Sequence, residues 1–163
     1  MSGTQPPDAE PTLAELAAME HIRRVYHRYC DALDYKAFEG LADVFAEDCE
    51  VDYTDILPGL VVSGSAAVVG SARAMLGSHS AVDRTHHNVG NFRIAIQDET
   101  AEAKVRFHAV HSGAGALRGQ TFLCWGDYHD QLEKRDGQWR IVHRAYLGFI
   151  TQGNPEIGGY SAG

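Results

Sequence analysis

Apolar positions along the chain follow two different periods, one in each half. From residue 13 to 34, Ile22, Val25, Tyr26, Tyr29, Cys30 and Leu33 recur at the spacing of a single helical face. Thr12 precedes this run and Glu15 follows it by three positions, a capping box that predicts the start of the first helix. KAFEGLADVFA places Phe38, Leu41, Ala42 and Phe45 on one side of a second, short helix, and CEVDYTD reads as a strand. GSAAVVGSARAML is expected to be helical with Ser65 as its cap, although Gly70 weakens it by about 1 kcal/mol relative to Ala. The period then changes to two, and four long strands are predicted at about 84–97, 101–112, 119–134 and 138–151. They are joined by DET, SGAGALRG and KRDGQ, which carry the turn residues of antiparallel neighbours.

Helices first and a meander afterwards indicate an α+β fold, with the helices on one face of a curved antiparallel sheet. Such a sheet forms a cone open at one end, a concavity of the kind that holds ligands. The length of 163 residues suits one domain, assigned to 11–152. A Pro-rich tail at 1–10 precedes it, and an extension at 153–163 is expected to cover the pocket or to pack on a neighbouring subunit.

Composition removes several function classes. Lys plus Arg is 14 against 22 Asp plus Glu, a net charge of −8, and no basic run tracks a phosphate backbone, so nucleic acid is not expected as a partner. No apolar stretch approaches the roughly 20 residues of a membrane span. MSGTQPPDAEP lacks the basic and apolar regions of a signal peptide, which gives the expectation of a cytoplasmic protein. Cys30, Cys49 and Cys124 are odd in number and sit among apolar neighbours, as reduced buried thiols do.

The chemistry-bearing candidates lie on separate elements. Asp34 closes the first helix at the negative end of its dipole, an unfavourable place for a carboxylate, and it borders the buried face while Asp31 points away. His86 and His87 are adjacent in the first long strand, so one faces inward. Counting back by twos from Ile96, Ile94 and Phe92 selects His86, whereas a bulge at Gly90 would turn His87 inward. His111 closes the apolar face formed by Val105, Phe107 and Ala109. Tyr29 and Tyr53 offer phenols, and Phe107 and Trp125 are taken with Tyr53 and His111 as substrate contacts. Arg144, deep in the last strand, either pairs with a buried carboxylate or holds an anionic leaving group. His108, His129 and His143 have no metal-ligand spacing, so no metal and no cofactor is expected.

In its order of parts, and in the strand entry EDCEV and the closing RDGQWRI, the chain resembles the SnoaL-like branch of the nuclear transport factor 2-like superfamily over residues 12–151. That branch includes scytalone dehydratase, hexachlorocyclohexane dehydrochlorinase and bile acid 7α-dehydratase. The resemblance rests on Asp34 in ALDYK, His87 in HNVGN before the Gly-Asn pair, Arg144 on the last strand, and Tyr29 five residues before Asp34. It implies Asp34, His87, Tyr29 and Arg144 as catalytic residues, with His87 rather than His86 as the base. It further implies a cofactor-independent lyase acting on an apolar cyclic substrate such as a steroid or polyketide, assembled as a homotrimer. An isomerase or cyclase using the same base, or a ligand-binding protein without chemistry, is the alternative. Cys30 separates Tyr29 from the acidic residues that follow, so the adjacent Tyr-Asp pair of scytalone dehydratase does not carry over.

Overall fold

The capping box forms as expected. In a computed structural model describing residues 10–158, helix α1 spans Leu13–Asp34. The Thr12 hydroxyl accepts the Glu15 N–H at 3.2 Å, and the Glu15 carboxylate accepts the Thr12 N–H at 2.7 Å. The predicted face is buried, with Ala32 added to it. The helix stops where Lys36 takes up a left-handed backbone conformation, φ 59°.

Two local expectations need correction. The second, short helix is a 3₁₀ helix over Phe38–Asp43, and it does not hold all four residues on one side. Its three residues per turn bring Phe38 and Leu41 together but leave Ala42 exposed. Phe45 belongs instead to strand β1, Phe45–Asp52, and a three-residue strand β2, Val61–Ser63, pairs with it. Helix α2, Ser65–Leu76, is capped by Gly64 rather than Ser65, without a side-chain hydrogen bond. The chain bends there through φ +87°, and a Cβ on Gly64 would stand 3.2 Å from the Glu47 carbonyl oxygen. Glycine meets that backbone demand and serine does not.

The four long strands are β3 Val82–Gln97, β4 Thr100–Gly113, β5 Thr121–Arg135 and β6 Gln138–Gly153. The sheet order is β2-β1-β6-β5-β4-β3, antiparallel throughout except for the parallel β1–β6 pair. The fold is the nuclear transport factor 2-like α+β architecture, with α1 packed on the sheet. Strand β6 extends to Gly153, and Pro155–Gly158 adds a short 3₁₀ turn that buries Ile157. The tail at 1–9 and residues 159–163 lie outside the described residues.

The irregularity that matters most for the site is in β3. Pairing with β4 shifts between Gly90 and Arg93, and Asn91 has φ 49°. The more buried positions before it are Thr85, His87 and Val89, and after it Phe92, Ile94 and Ile96. The bulge therefore exchanges the two faces of the strand. No helix among the described residues is long and apolar enough to cross a membrane. Cys30, Cys49 and Cys124 are buried and form no disulfide among the described residues, and burial pushes the Cys30 thiol up to about 12.

Candidate active site

With the bulge in place, His87 is inward, its side chain 7% exposed, while His86 is 71% exposed. The end of α1 lies against the open edge of β3 and delivers Asp34 to it. The Asp34 carboxylate accepts the His87 backbone N–H at 2.9 Å and the Thr85 hydroxyl at 2.8 Å, and it lies 2.7 Å from His87 Nδ1. Burial raises the carboxyl's pKa, but these bonds and the His87 ring outweigh it and hold Asp34 below its ordinary range. Asp34 therefore stays ionised and can fix the proton of His87 on Nδ1. Nε2 is then the ring nitrogen available to a bound molecule.

That molecule has a place to bind. His87 borders a cavity of about 610 Å³, mouth included. Leu33 of α1 and Ala72, Met75 and Leu76 of α2 supply apolar wall, with Ile56 from the β1–β2 loop and Gly158 at the chain's C-terminal side. The polar groups are the phenols of Tyr29, Tyr53, Tyr128 and Tyr146, the imidazoles of His87 and His111, the Ser71 hydroxyl and the Cys124 thiol. A few polar groups in an otherwise apolar concavity suit a largely apolar ligand with one or two oxygen functions. Burial raises the pKa of Tyr29, partly opposed by Arg144, so it remains a protonated donor at neutral pH.

His111 completes the polar wall. Its ring centroid is 5.6 Å from that of His87, and both of its nitrogens are buried without a hydrogen-bond partner. Burial, reinforced by His87 and Lys36, lowers its pKa from 6.5 to about 3, so it is a neutral imidazole in most conditions. Between those two values the unfolded chain binds a proton that the folded one does not, and stability must fall as pH falls. Urea unfolding at about pH 7 and about pH 4.5 should show the acid sample weaker by on the order of 2 kcal/mol from this group. His111→Gln should remove that part of the slope, and an identical slope in the variant would contradict the assignment. Asp34 does not interfere, since a depressed carboxyl keeps its stabilising charge until the pH drops below its ordinary 3.8.

Arg144 stands behind this wall rather than in it. Its side chain is fully buried, with Nε 2.9 Å from Asp130 Oδ1 and Nη2 2.7 Å from Asp130 Oδ2, and the Tyr26 hydroxyl donates to the same carboxylate at 2.7 Å. The guanidinium carbon lies 4.4 Å from the ring centre of Tyr29 and 4.0 Å from that of Tyr128. Of the two expectations for Arg144, the structure realises the pairing with a buried carboxylate. Its charge reaches the cavity through the phenol rings stacked on it.

The remaining candidates divide. Tyr53 lines the cavity beside Tyr146, with ring centres 5.6 Å apart. Phe107 is buried beneath the wall, stacked on Tyr128 at 4.5 Å, and does not line the cavity. Trp125 is a correction: it points to the opposite face of the sheet, stacked on His108 at 4.8 Å, because Phe122, Cys124 and Tyr128 take the inward positions of β5. Sequence reasoning missed Thr85, Tyr128, Tyr146, Lys36 and Asp130. Tyr128 shared the inward period of β5 with Phe122, Cys124 and Leu132 and carried that signal, whereas Tyr146 is turned inward only by a bulge in β6. Asp130 shared the same β5 period, but its pairing left no signal, since counting outward from the Asp136-Gly137 turn opposes it to His143 and the same β6 bulge moves its partner to Arg144.

Comparison with known proteins agrees with this architecture. A search of curated proteins finds no match. A protein named as a candidate scytalone dehydratase from Novosphingobium aromaticivorans DSM 12444 is similar in structure, with a TM-score of 0.75 and 28% identity over 84% of this chain and 87% of that one. A type 2 hexachlorocyclohexane dehydrochlorinase shares the fold at a TM-score of 0.75 and 18% identity, covering 87% of this chain and 92% of its own. A nuclear transport factor 2-like protein from Salmonella enterica serovar Typhimurium shares it at 0.71 and 17% identity, covering 83% and 93%. The SnoaL-like domain model matches residues 14–145, the whole span from the first helix to the strand that carries Arg144, and the chain belongs to that family.

Proposed function

We propose that the protein is a lyase, its chemistry supplied by side chains, that eliminates water or a halide from an apolar cyclic substrate of steroid or polyketide type. The observation that carries this reading is His87 on the wall of an apolar cavity, its Nδ1 hydrogen-bonded to Asp34 at 2.7 Å. Nε2 of His87 takes a carbon-bound proton, and Asp34 stabilises the imidazolium that forms. The electron pair of the broken C–H bond forms the new double bond as the adjacent carbon–oxygen or carbon–halogen bond breaks. Tyr29 gives its phenol proton to a departing hydroxide, which leaves as water, and the proton taken by His87 is returned to Tyr29 through solvent; a halide leaves as the anion with a hydrogen bond from Tyr29. Arg144 favours that by stabilising negative charge on the phenol oxygen. His111 and Tyr53 are neutral groups able to donate to a second oxygen of the substrate.

A panel of apolar cyclic alcohols and halides, followed by mass spectrometry for loss of water or hydrogen halide, tests the reading. The wild type should form an elimination product that His87→Ala forms at least roughly a hundredfold more slowly. Binding without product would favour a carrier, and rearrangement without loss of a group would place the same base in an isomerase or cyclase.

A further inference from the structure

Asp34 serves two histidines. His87 meets it from inside the cavity, and His86 Nδ1 lies 3.9 Å from Asp34 Oδ2 on the solvent side. Neighbouring residues of a strand point to opposite faces, and a carboxylate placed at the open edge of β3 is within reach of both. Asp34 and both imidazoles also border a polar groove outside the cavity, where Lys36, Asp83 and Arg84 lie. The carboxylate is thus a link between an exposed imidazole and a buried one.

We propose that His86 is a positioning residue that governs, from the solvent side, how strongly Asp34 supports His87 as a base. The inference rests on the reading of His87 as the base. One carboxylate has one negative charge to share. A proton on His86 places a cation beside Asp34, and protonation of His87 then becomes less favourable. The buried base consequently stays free of a proton further into acid than Asp34 alone would allow.

The other charges nearby are accounted for. Lys36, just past the end of α1, has its Nζ buried without a hydrogen-bond partner, and burial lowers its pKa against the opposing pull of Asp34 and Asp83. Asp31, Asp83 and Arg84 border the same groove. From β4, His111 faces the dyad inside the cavity as a neutral ring. His108, diagonal to His86 across the β3–β4 pairing, is stacked on Trp125. Among these groups His86 combines exposure with contact to Asp34, and an imidazole is the side chain whose ordinary change of charge lies between about pH 5 and 8.

The test compares His86→Lys, a permanent cation, with His86→Gln, a neutral side chain; at an exposed position neither should disturb folding. The His87 Cε1–H resonance is followed by NMR against pH at low salt, without substrate. The Lys variant should titrate at lower pH than the Gln variant, and the gap should shrink near 1 M salt, where the Debye length is about 3 Å. The wild type should follow the Gln curve at high pH and approach the Lys curve in acid. Coincident Lys and Gln curves at low salt would overturn the inference whatever the activity. Once a substrate is known, the acid limb of kcat/KM should follow the same order. Separated NMR curves with unmoved acid limbs would uphold the sharing of Asp34 and refute His87 as the base.

Discussion

Asp130→Ala is expected to lower the stability of the domain by about 3–5 kcal/mol, the usual consequence of removing one partner from a buried ion pair. The Arg144 side chain is fully buried, and two of its nitrogens are held by Asp130 while Nη1 has no partner. Burial works against the guanidinium charge, but Asp130 and the phenols of Tyr29 and Tyr128 more than offset it and raise its pKa well above the ordinary value. Without Asp130 the charge persists and has no counterpart, and the Tyr26 hydroxyl loses its acceptor. For a domain whose whole stability is on the order of 5–15 kcal/mol, urea denaturation should show a midpoint displaced far toward zero. Asp130→Leu combined with Arg144→Met should recover most of the loss, since apolar replacement of both partners removes the unpaired charge. A single-variant loss below about 0.5 kcal/mol would mean that water reaches Arg144.

Asp34→Asn is expected to reduce turnover by roughly 10²–10⁴-fold while costing much less stability than Asp130→Ala. With its oxygen in the place of Oδ2 the amide can still accept the His87 N–H, so the strand edge keeps part of its support. What changes is the group facing Nδ1. An amide NH₂ there donates, Nδ1 must accept, and the ring proton moves to Nε2, the atom required to take a proton from substrate. The charge that stabilises the imidazolium is lost as well. Turnover on an identified substrate that stays within a few-fold of wild type would remove Asp34 from the mechanism.

Much of this arrangement was legible in the residues because it follows from short-range rules. The Thr12–Glu15 box, the α1 stripe and the four long strands each depend on neighbours within a few positions. Gly90 announced the bulge, though not its parity, and the choice between His86 and His87 needed either the resemblance or the structure. The misreadings have a common physical origin. Trp125 and Leu123 give β5 large apolar residues on its outer face, so alternation there does not say which face is the core. Gly64 caps α2 for a backbone reason, while Ser65 has the side chain that caps usually need. The Asp130–Arg144 pair depends on the β6 bulge near Val142, which no turn or glycine marks in the chain. Lys36 and Thr85 became significant through the approach of the α1 terminus to an edge strand, a tertiary fact.

The dyad can be tested without knowing the substrate, by reading the two ring nitrogens of His87 with ¹⁵N NMR at a pH where the ring is neutral. The structure predicts the proton on Nδ1, held by Asp34, with Nε2 unprotonated toward the cavity, and predicts transfer of that proton to Nε2 in Asp34→Asn. A wild-type ring that already carries its proton on Nε2, or that is unaffected by Asp34→Asn, would contradict the account.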